Sequence, residues 1–473
     1  MQTKERKRRV PSVLEASIYL VLVIAVVVAG IRLGIGSQMS LFLGAVVAMV
    51  TGLLLGVPWN EIQESMLKVI NNSMVAILIL LIVGIMIGAW IIGGTVPSLM
   101  YFGLKIVSPS IILPLTFVLC AVMSVFTGTS FGSIATMGLA LTGVAMGMGI
   151  PVPMVVGAVI SGAYFGDKLS PMSDNTNMGS AMAGTSLFEH IGSMMYTTLP
   201  AMLITLVLYV ILGLRYASGA MDTTNIDLMM TTLDNTFSIS IIAIIPAAMM
   251  LVVSVLKIPA ILGLSGCAVF SLIFAMLLQN VSPLAVLKAG FSGYVSETGV
   301  ALVDTILTRG GINAMMGTVA LVIIASLMGG ALQASGVLSV VVEDGLMKMI
   351  KNRTALVVIT MVYSYFILLI SGNQVLGLVM VGPTMQSAYD DLDLDRKVLS
   401  RAMADTTTVA APLVPWSTAC AYTMGVLGVT AAYVPYAFLC YTVPIFTIIC
   451  AVTGFGMWHK DGTPYWKKKT VSQ

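Results

Sequence analysis

The stretch Ser161-Gly162-Ala163-Tyr164-Phe165-Gly166-Asp167-Lys168-Leu169-Ser170-Pro171-Met172-Ser173-Asp174-Asn175-Thr176-Asn177 decides how this chain is read. It starts as an apolar, glycine-spaced helix. It then carries two carboxylates and a lysine into apolar surroundings. Pro171 removes a backbone donor and clashes with the preceding turn, which predicts a helix broken near 168–171. A broken helix frees carbonyls on one side and amides on the other. Ser173, Asp174, Asn175 and Thr176 ring the break with oxygens, a cage for a hard monovalent cation. With no Cys or His in it, nothing favours a transition metal. Ionisable groups at membrane depth are costly and as a rule functional; the bland alternative is a wet interfacial loop.

Membrane depth follows from composition. Of 473 residues, 58% are apolar and 45 more are Gly, about two thirds together, against roughly 45–50% in a soluble domain. Charged residues are 9%, against roughly 25%. These figures exclude an ordinary cytosolic enzyme, a nucleic-acid binder and a disordered chain. They leave an all-α polytopic protein whose main partner is the lipid bilayer. The five Cys lie in apolar stretches without a CxxC pair, so buried thiols are expected. Two His leave little scope for a His-based metal site. There is no nucleotide motif, so no cofactor, enzymatic role or direct ATP coupling is expected.

Clear span candidates are 12–33, 39–57, 74–97, 190–214, 237–256, 259–278, 314–338 and 431–456. The stretches 152–187 and 398–426 are long enough but interrupted. Regions 110–149 and 354–388 are apolar with polar centres, Thr127-Gly128-Thr129-Ser130 and Ser371-Gly372-Asn373-Gln374. Their length leans toward re-entrant hairpins with tips near the midplane. Residues 58–73 read as an amphipathic interfacial helix. The apolar run after the basic N-terminus is too long for a signal-peptide core of roughly 7–15 residues, so it reads as an uncleaved span. Basic residues cluster on one side: Lys4 to Arg9, Lys68, Lys257, Lys348, Lys351, Arg353, Arg396, Lys397, Arg401, Lys460 and Lys467 to Lys469. The other side holds Arg32, Lys105, Arg215, Lys288 and Arg309. The positive-inside rule then puts both termini in the cytoplasm.

The halves repeat weakly but in register. Leu169-Ser170-Pro171-Met172-Ser173 precedes Leu413-Val414-Pro415-Trp416-Ser417 by 244 positions, as Gly128 precedes Gly372 and Pro200 precedes Pro444. Five spans and one hairpin per half make the second half start on the opposite side. That predicts two inverted-topology repeats, each with a re-entrant hairpin and one broken helix, as in many secondary transporters. The organisation is a cytoplasmic N-terminus at 1–11, a first repeat at 12–214, an extracellular linker at 215–236, a second repeat at 237–456 and a cytoplasmic C-terminus at 457–473.

The second interrupted span has no carboxylate in the matching stretch. It keeps Asp405 in Asp405-Thr406-Thr407-Thr408, one helical turn after Arg401 (i, i+4), its candidate partner. Ser417 and Thr418 follow the second break. Non-helical backbone at this depth is tolerated only where protein or a water cavity covers it. The hairpin tips are therefore expected to meet the breaks, where half-helix ends bind a cation at carbonyls or an anion at amides.

The run Gly162 to Asn177, with Phe188-Glu189-His190-Ile191 after it, resembles the signature of NhaC-type sodium/proton antiporters. The resemblance implies the ion transporter superfamily fold, often a dimer of scaffold and transport parts, in the cytoplasmic membrane. It implies secondary exchange of Na+ for H+ by alternating access, or cation-coupled exchange of a small carboxylate (malate/lactate type) or an amino acid by a relative. Ser/Asn/Thr clusters at tips and breaks would bind sodium and substrate. On this reading Asp174 is the first choice for the carboxylate that trades a proton for sodium, with Na+ at Asp174, Ser173 and Thr176. Asp167 is second, because adjacent Lys168 would neutralise it.

Overall fold

The computed structural model describes residues 8–217, 223–256 and 258–466. Lys4 to Lys7, Lys257 and Lys467 to Lys469 lie outside the described residues.

The first half runs α1 (Val13–Arg32), α2 (Ser37–Leu54), α3 (Trp59–Ile92), α4 (Thr95–Ile106), α5 (Ile112–Thr127), α6 (Ser130–Ser133), α7 (Leu139–Gly147), α8 (Val152–Leu169), α9 (Asp174–Ala183) and α10 (Leu187–Ala217). A π turn, Ile134–Gly138, joins α6 to α7. After α11 (Thr223–Thr236) come α12 (Ile245–Val255), α13 (Ala260–Leu278), α14 (Pro283–Ser292), α15 (Ala301–Leu307), α16 (Gly311–Ser335) and α17 (Val337–Ser339). The chain ends with α18 (Arg353–Ser371), α19 (Gln374–Asp391), α20 (Arg396–Met403), α21 (Thr418–Leu427) and α22 (Phe438–Thr453). Among the described residues no strand forms beyond two isolated bridges, and eight helices are long and apolar enough to cross a membrane.

Local chemistry sets the ends. Ser12 caps α1 by accepting from the Glu15 amide at 3.2 Å, the start of a Ser-x-x-Glu capping pattern. Glu15 is in turn held by Arg9 at 3.0 Å. The segment 58–73 is not a separate interfacial helix. It forms the first turns of α3, because nothing between Trp59 and Ile92 interrupts the helix. Its inner face carries Ile62, Met66, Val69 and Ser73, all buried. The linker segment is likewise helical over Thr223–Thr236 and turns by 90° into the next element.

The surface is largely apolar, and the apolar interior also buries polar and charged groups. Leu14, Ile18, Val21, Leu203, Val207, Ile211, Leu277 and Ile445 are exposed. Ser130, Asp167, Lys168, Ser173, His190, Arg401 and Asp405 are buried. Water would penalise that exterior and a bilayer does not. Small residues bring helices together where no hydrophobic effect drives association. A Cβ on Gly330 would lie 2.5 Å from Met66 Cα, and one on Gly88 would lie 2.1 Å from the Ala289 carbonyl. Ser73 and Ser326 (3.1 Å) and the Trp90 indole on Ser271 (2.9 Å) link the halves by buried hydrogen bonds.

Candidate functional site

The first hairpin tip lies between α5 and α6. Gly128 ends α5 with φ of +69°, a conformation that L side chains rarely adopt. Thr129 then caps α6, accepting from the Gly132 amide at 3.4 Å, and Thr127 donates to the Thr129 carbonyl at 3.4 Å. The tip is pressed against the first break: a Cβ on Gly128 would lie 2.8 Å from Met172. Gly162 and Gly166 let α8 close on α5, within 2.3 Å of Phe117 O and 2.5 Å of Ala121 O for an added Cβ.

At the break, α8 ends at Leu169 and Ser170 donates to the Val125 carbonyl at 2.7 Å. Ser173 caps α9, accepting from the amides of Asn175 (3.2 Å) and Thr176 (3.4 Å). Its own hydroxyl donates to Asp167 at 2.6 Å. Asp167 also accepts from Ser130 at 2.8 Å and from the Asn175 amide group at 3.1 Å. Thr176 closes the cage from below, donating to the freed carbonyls of Asp167 (2.9 Å) and Lys168 (3.0 Å). Tip and break thus enclose one buried carboxylate with neutral hydroxyl and amide groups.

The contacts differ from those expected of the two acids. The residues expected around Asp174 converge on Asp167, while Asp174 is exposed on the first turn of α9. The chain folds back at Pro171, so Ser173 and Asn175 face the last turn of α8 instead of their own neighbour. Nor does Lys168 neutralise Asp167. Adjacent helical residues do not face each other, and the Lys168 ammonium forms a buried ion pair with Asp405. It also donates to Thr198 at 2.8 Å, and Thr447 donates to the other Asp405 oxygen.

Asp405 lies in a π turn, Ala404–Thr408, which continues α20. The wider turn alters the regular i, i+4 register, and Arg401 is not its partner. The Arg401 guanidinium, fully buried, donates to the carbonyls of Gly456 (2.6 Å) and Ser193 (3.4 Å). No motif announced Thr198 or Thr447, which reach the pair from α10 and α22; their only signal was a hydroxyl in an apolar span.

The second tip and break repeat the first in backbone terms. Gly372 ends α18 with φ of +61°, and a Cβ there would lie 2.8 Å from the Trp416 carbonyl. The Thr418 amide donates to Gly372 O at 2.8 Å. Asn373 caps α19 through Val375 N at 2.9 Å and donates to Ser73 at 3.1 Å. Ser371 donates to the Ile367 carbonyl at 2.7 Å. Ser417 caps α21, accepting from Cys420 N at 3.0 Å, and donates to the Ala411 carbonyl. The side-chain oxygen of buried Gln374 and the hydroxyl of Thr408 have no hydrogen-bond partner among the described residues.

A polytopic helical membrane protein with two broken helices, one of them holding a buried carboxylate, has the architecture of a transporter. The Na+/H+ antiporter family model matches residues 162–455, a stretch that begins within α8, shortly before the first break, and runs through the second. The chain belongs to that family. It is 34% identical to the malate-2H(+)/Na(+)-lactate antiporter of Bacillus subtilis, covering 95% of this chain and 97% of that protein. It is 34% identical to the Na(+)/H(+) antiporter NhaC of Alkalihalophilus pseudofirmus, covering 87% and 89%. It is also 32% identical to the arginine/ornithine antiporter ArcD of Halobacterium salinarum, covering 91% and 90%.

Proposed function

We propose that the chain is a secondary Na+/H+ antiporter of the cell membrane and that Asp167 is the carboxylate for which the two ions compete. The observation that carries this is the cage: a buried carboxylate met by Ser130, Ser173 and Asn175 and, among the described residues, paired with no cationic side chain. Hydroxyl and amide groups serve both states. They donate to the bare carboxylate, and turned about their bonds they offer oxygens to Na+. Thr176 and the carbonyls of Asp167 and Lys168 complete an all-oxygen set. A proton and Na+ cannot share the same carboxylate oxygen, so each expels the other, and exchange follows if the cage opens to one side at a time. Asp174, at the exposed start of α9, favours the helix N-terminus and draws cations toward the break.

The Lys168–Asp405 pair joins the two halves beside this cage. Its backbone neighbour is the sodium carboxylate itself, so movement of α8 is felt by the pair. Inverted repeats are supported by the equal offset of the contacts Gly128–Met172 and Gly372–Trp416. Cytoplasmic termini are supported by the basic residues gathered at one end, where Gly345, shortly before α18, abuts Val13.

A second reading adds a small carboxylate to the exchange. It is favoured by the second break, where Ala411 stands in register with Asp167, so that an anion there meets no fixed negative charge. The test is a proteoliposome assay with an internal pH dye. Sodium alone should alkalinise or acidify the lumen according to its gradient, and Asp167→Asn should abolish that response. Acid-dependent sodium flux without any response to sodium alone would replace the first reading by the second.

A further inference from the structure

A cavity lies away from the sodium cage. It has a volume of about 370 Å³ and is lined by Arg309, Thr308, Gln38, Thr318 and the α21 residues Met424 and Gly425. Gln38 opens α2, whereas Arg9 binds the Leu55 carbonyl at the far end of that helix (2.9 Å). The 18 residues of α2 therefore separate the cavity from the basic N-terminus by about 27 Å.

Arg309 is presented by rigid backbone. It pairs with Tyr294 in both directions, at 2.9 and 3.1 Å. The next two residues are Gly310 and Gly311, whose added Cβ atoms would meet Gly88 N at 2.5 Å and Gly293 N at 2.2 Å. The half-buried guanidinium donates to the Leu427 carbonyl at the end of α21 and has a Met146 sulfur 4.0 Å away. No carboxylate pairs with it among the described residues. A guanidinium has five N–H donors in a fixed fork, so helix capping leaves most of them without a protein acceptor. Thr318 and Gln38 also line the cavity, the Gln38 amide donating to the Gly317 carbonyl at 3.3 Å, and Met424, Ala314 and the glycines supply apolar surface.

We propose that this cavity is a docking site for a small carboxylate. The planar fork matches a carboxylate bidentately, Thr318 and Gln38 meet a hydroxyl or a second carboxylate, and the apolar wall takes the carbon chain. An inorganic anion uses the fork but gains nothing from that wall. The site is distinct from the sodium cage and does not depend on which ions the cage exchanges. Its far end is coupled to the second tip, because α21 starts at Thr418, bonded to Gly372 O at 2.8 Å, and ends against Arg309.

The test is calorimetric titration of L-malate and L-lactate into the full chain in nanodiscs, without sodium. Wild-type protein should bind at least one acid. Arg309→Gln should weaken that binding by about tenfold or more, and Arg309→Lys, which keeps charge but loses the fork, should fall between. Thr318→Val, in the same lining, should weaken it independently and serves if Arg309→Gln does not insert. Binding unchanged in both Arg309→Gln and Thr318→Val, no binding by wild type at millimolar acid, or equal displacement by chloride overturns the site. Loss of binding in Asp167→Asn with full binding in Arg309→Gln would place the acid at the central cage and also overturn it. Sodium-driven proton flux in acid-free vesicles, measured on the same variants, tells failure of this site from failure of the antiport reading.

Discussion

At the first helix break Ser173 caps α9 and its hydroxyl donates a hydrogen bond to the Asp167 carboxylate at 2.6 Å; at the second, Ser417 caps α21 and its hydroxyl donates to the backbone carbonyl of Ala411. Both breaks contain a proline, Pro171 and Pro415, and both receive a hairpin tip whose glycine has positive φ. The two breaks share these backbone features and differ in charge. Backbone requirements are met twice by the same residue types, since a freed helix end needs a cap and a close tip needs a glycine. On the proposed function, the ion chemistry belongs to the break that carries a buried carboxylate, Asp167. The second break contributes its acid elsewhere, through Asp405, which faces Lys168 across the molecule instead of facing its own cap.

The sharpest way to break this comparison is to neutralise each acid in turn. Asp167→Asn should reduce sodium-driven proton flux to the background of empty vesicles while leaving the protein inserted. Asp174→Asn, on the exposed turn, should keep most of the flux and change chiefly its sodium dependence at low ionic strength, where surface charge is least screened. Full flux in Asp167→Asn, or background flux in Asp174→Asn, would return the role to Asp174.

The next largest effect concerns stability. Removing one member of a buried ion pair leaves the other uncompensated, at a cost of about 3–5 kcal/mol. Lys168→Met and Asp405→Asn should each lower the melting temperature of detergent-solubilised protein markedly. The double variant Lys168→Met/Asp405→Leu should recover much of the loss, because no buried charge remains. If the double variant is no more stable than the worse single one, the pair is not the contact that matters there. Exchange by a refolded double variant would show the pair to be structural; its loss would tie the second half to the coupling.

What could be read from residues alone divides along the same line. Proline and glycine act locally, so both breaks, both tips and the residues that dress them were legible. The hydroxyl and amide cluster was legible too, and all of Ser130, Ser173, Asn175 and Thr176 meet at one place. Which acid they meet was not. Asp174 adjoins them in the chain, but the reversal at Pro171 aims them back at Asp167. The ion pair spans 237 positions, and Lys168 and Asp405 are not related by the repeat, so no periodicity could bring them together. Arg401 illustrates the converse error: its spacing to Asp405 fits a regular helix, and a π turn intervenes.

The tips offer a smaller, symmetrical test of the shared scaffold. Gly128→Ala and Gly372→Ala each place a Cβ in a left-handed conformation, costing roughly 1–2 kcal/mol before any clash. Each also presses that atom to 2.8 Å of the facing break, against Met172 in one case and the Trp416 carbonyl in the other. Both should destabilise the protein by similar amounts in thermal unfolding. A loss confined to Gly128→Ala would mean that only the charged break needs a close tip, and the duplicated-scaffold argument would fail.

The smallest effect expected is at Asn373, and it separates the two readings of function. Its side-chain oxygen caps α19 and its amide donates to Ser73, both protein partners. As a cap alone, Asn373→Ala costs about 0.5–2 kcal/mol of stability, and sodium affinity in the proton-flux assay should shift only a few-fold. If instead a substrate carboxylate docks at the second tip, the amide must leave Ser73 to meet it, and losing a donor to a buried charge costs about 1.5–3 kcal/mol, or roughly 10–150-fold in affinity for the acid. Radiolabelled malate, lactate and arginine uptake, measured beside proton flux in the same Asn373→Ala vesicles, decides between them. A few-fold change in sodium affinity with no acid uptake in wild type keeps the carboxylate-free break as scaffold. Strong wild-type uptake of an acid that Asn373→Ala removes would make the uncharged break the substrate half of the site, and its lack of an aspartate the reason an anion can enter.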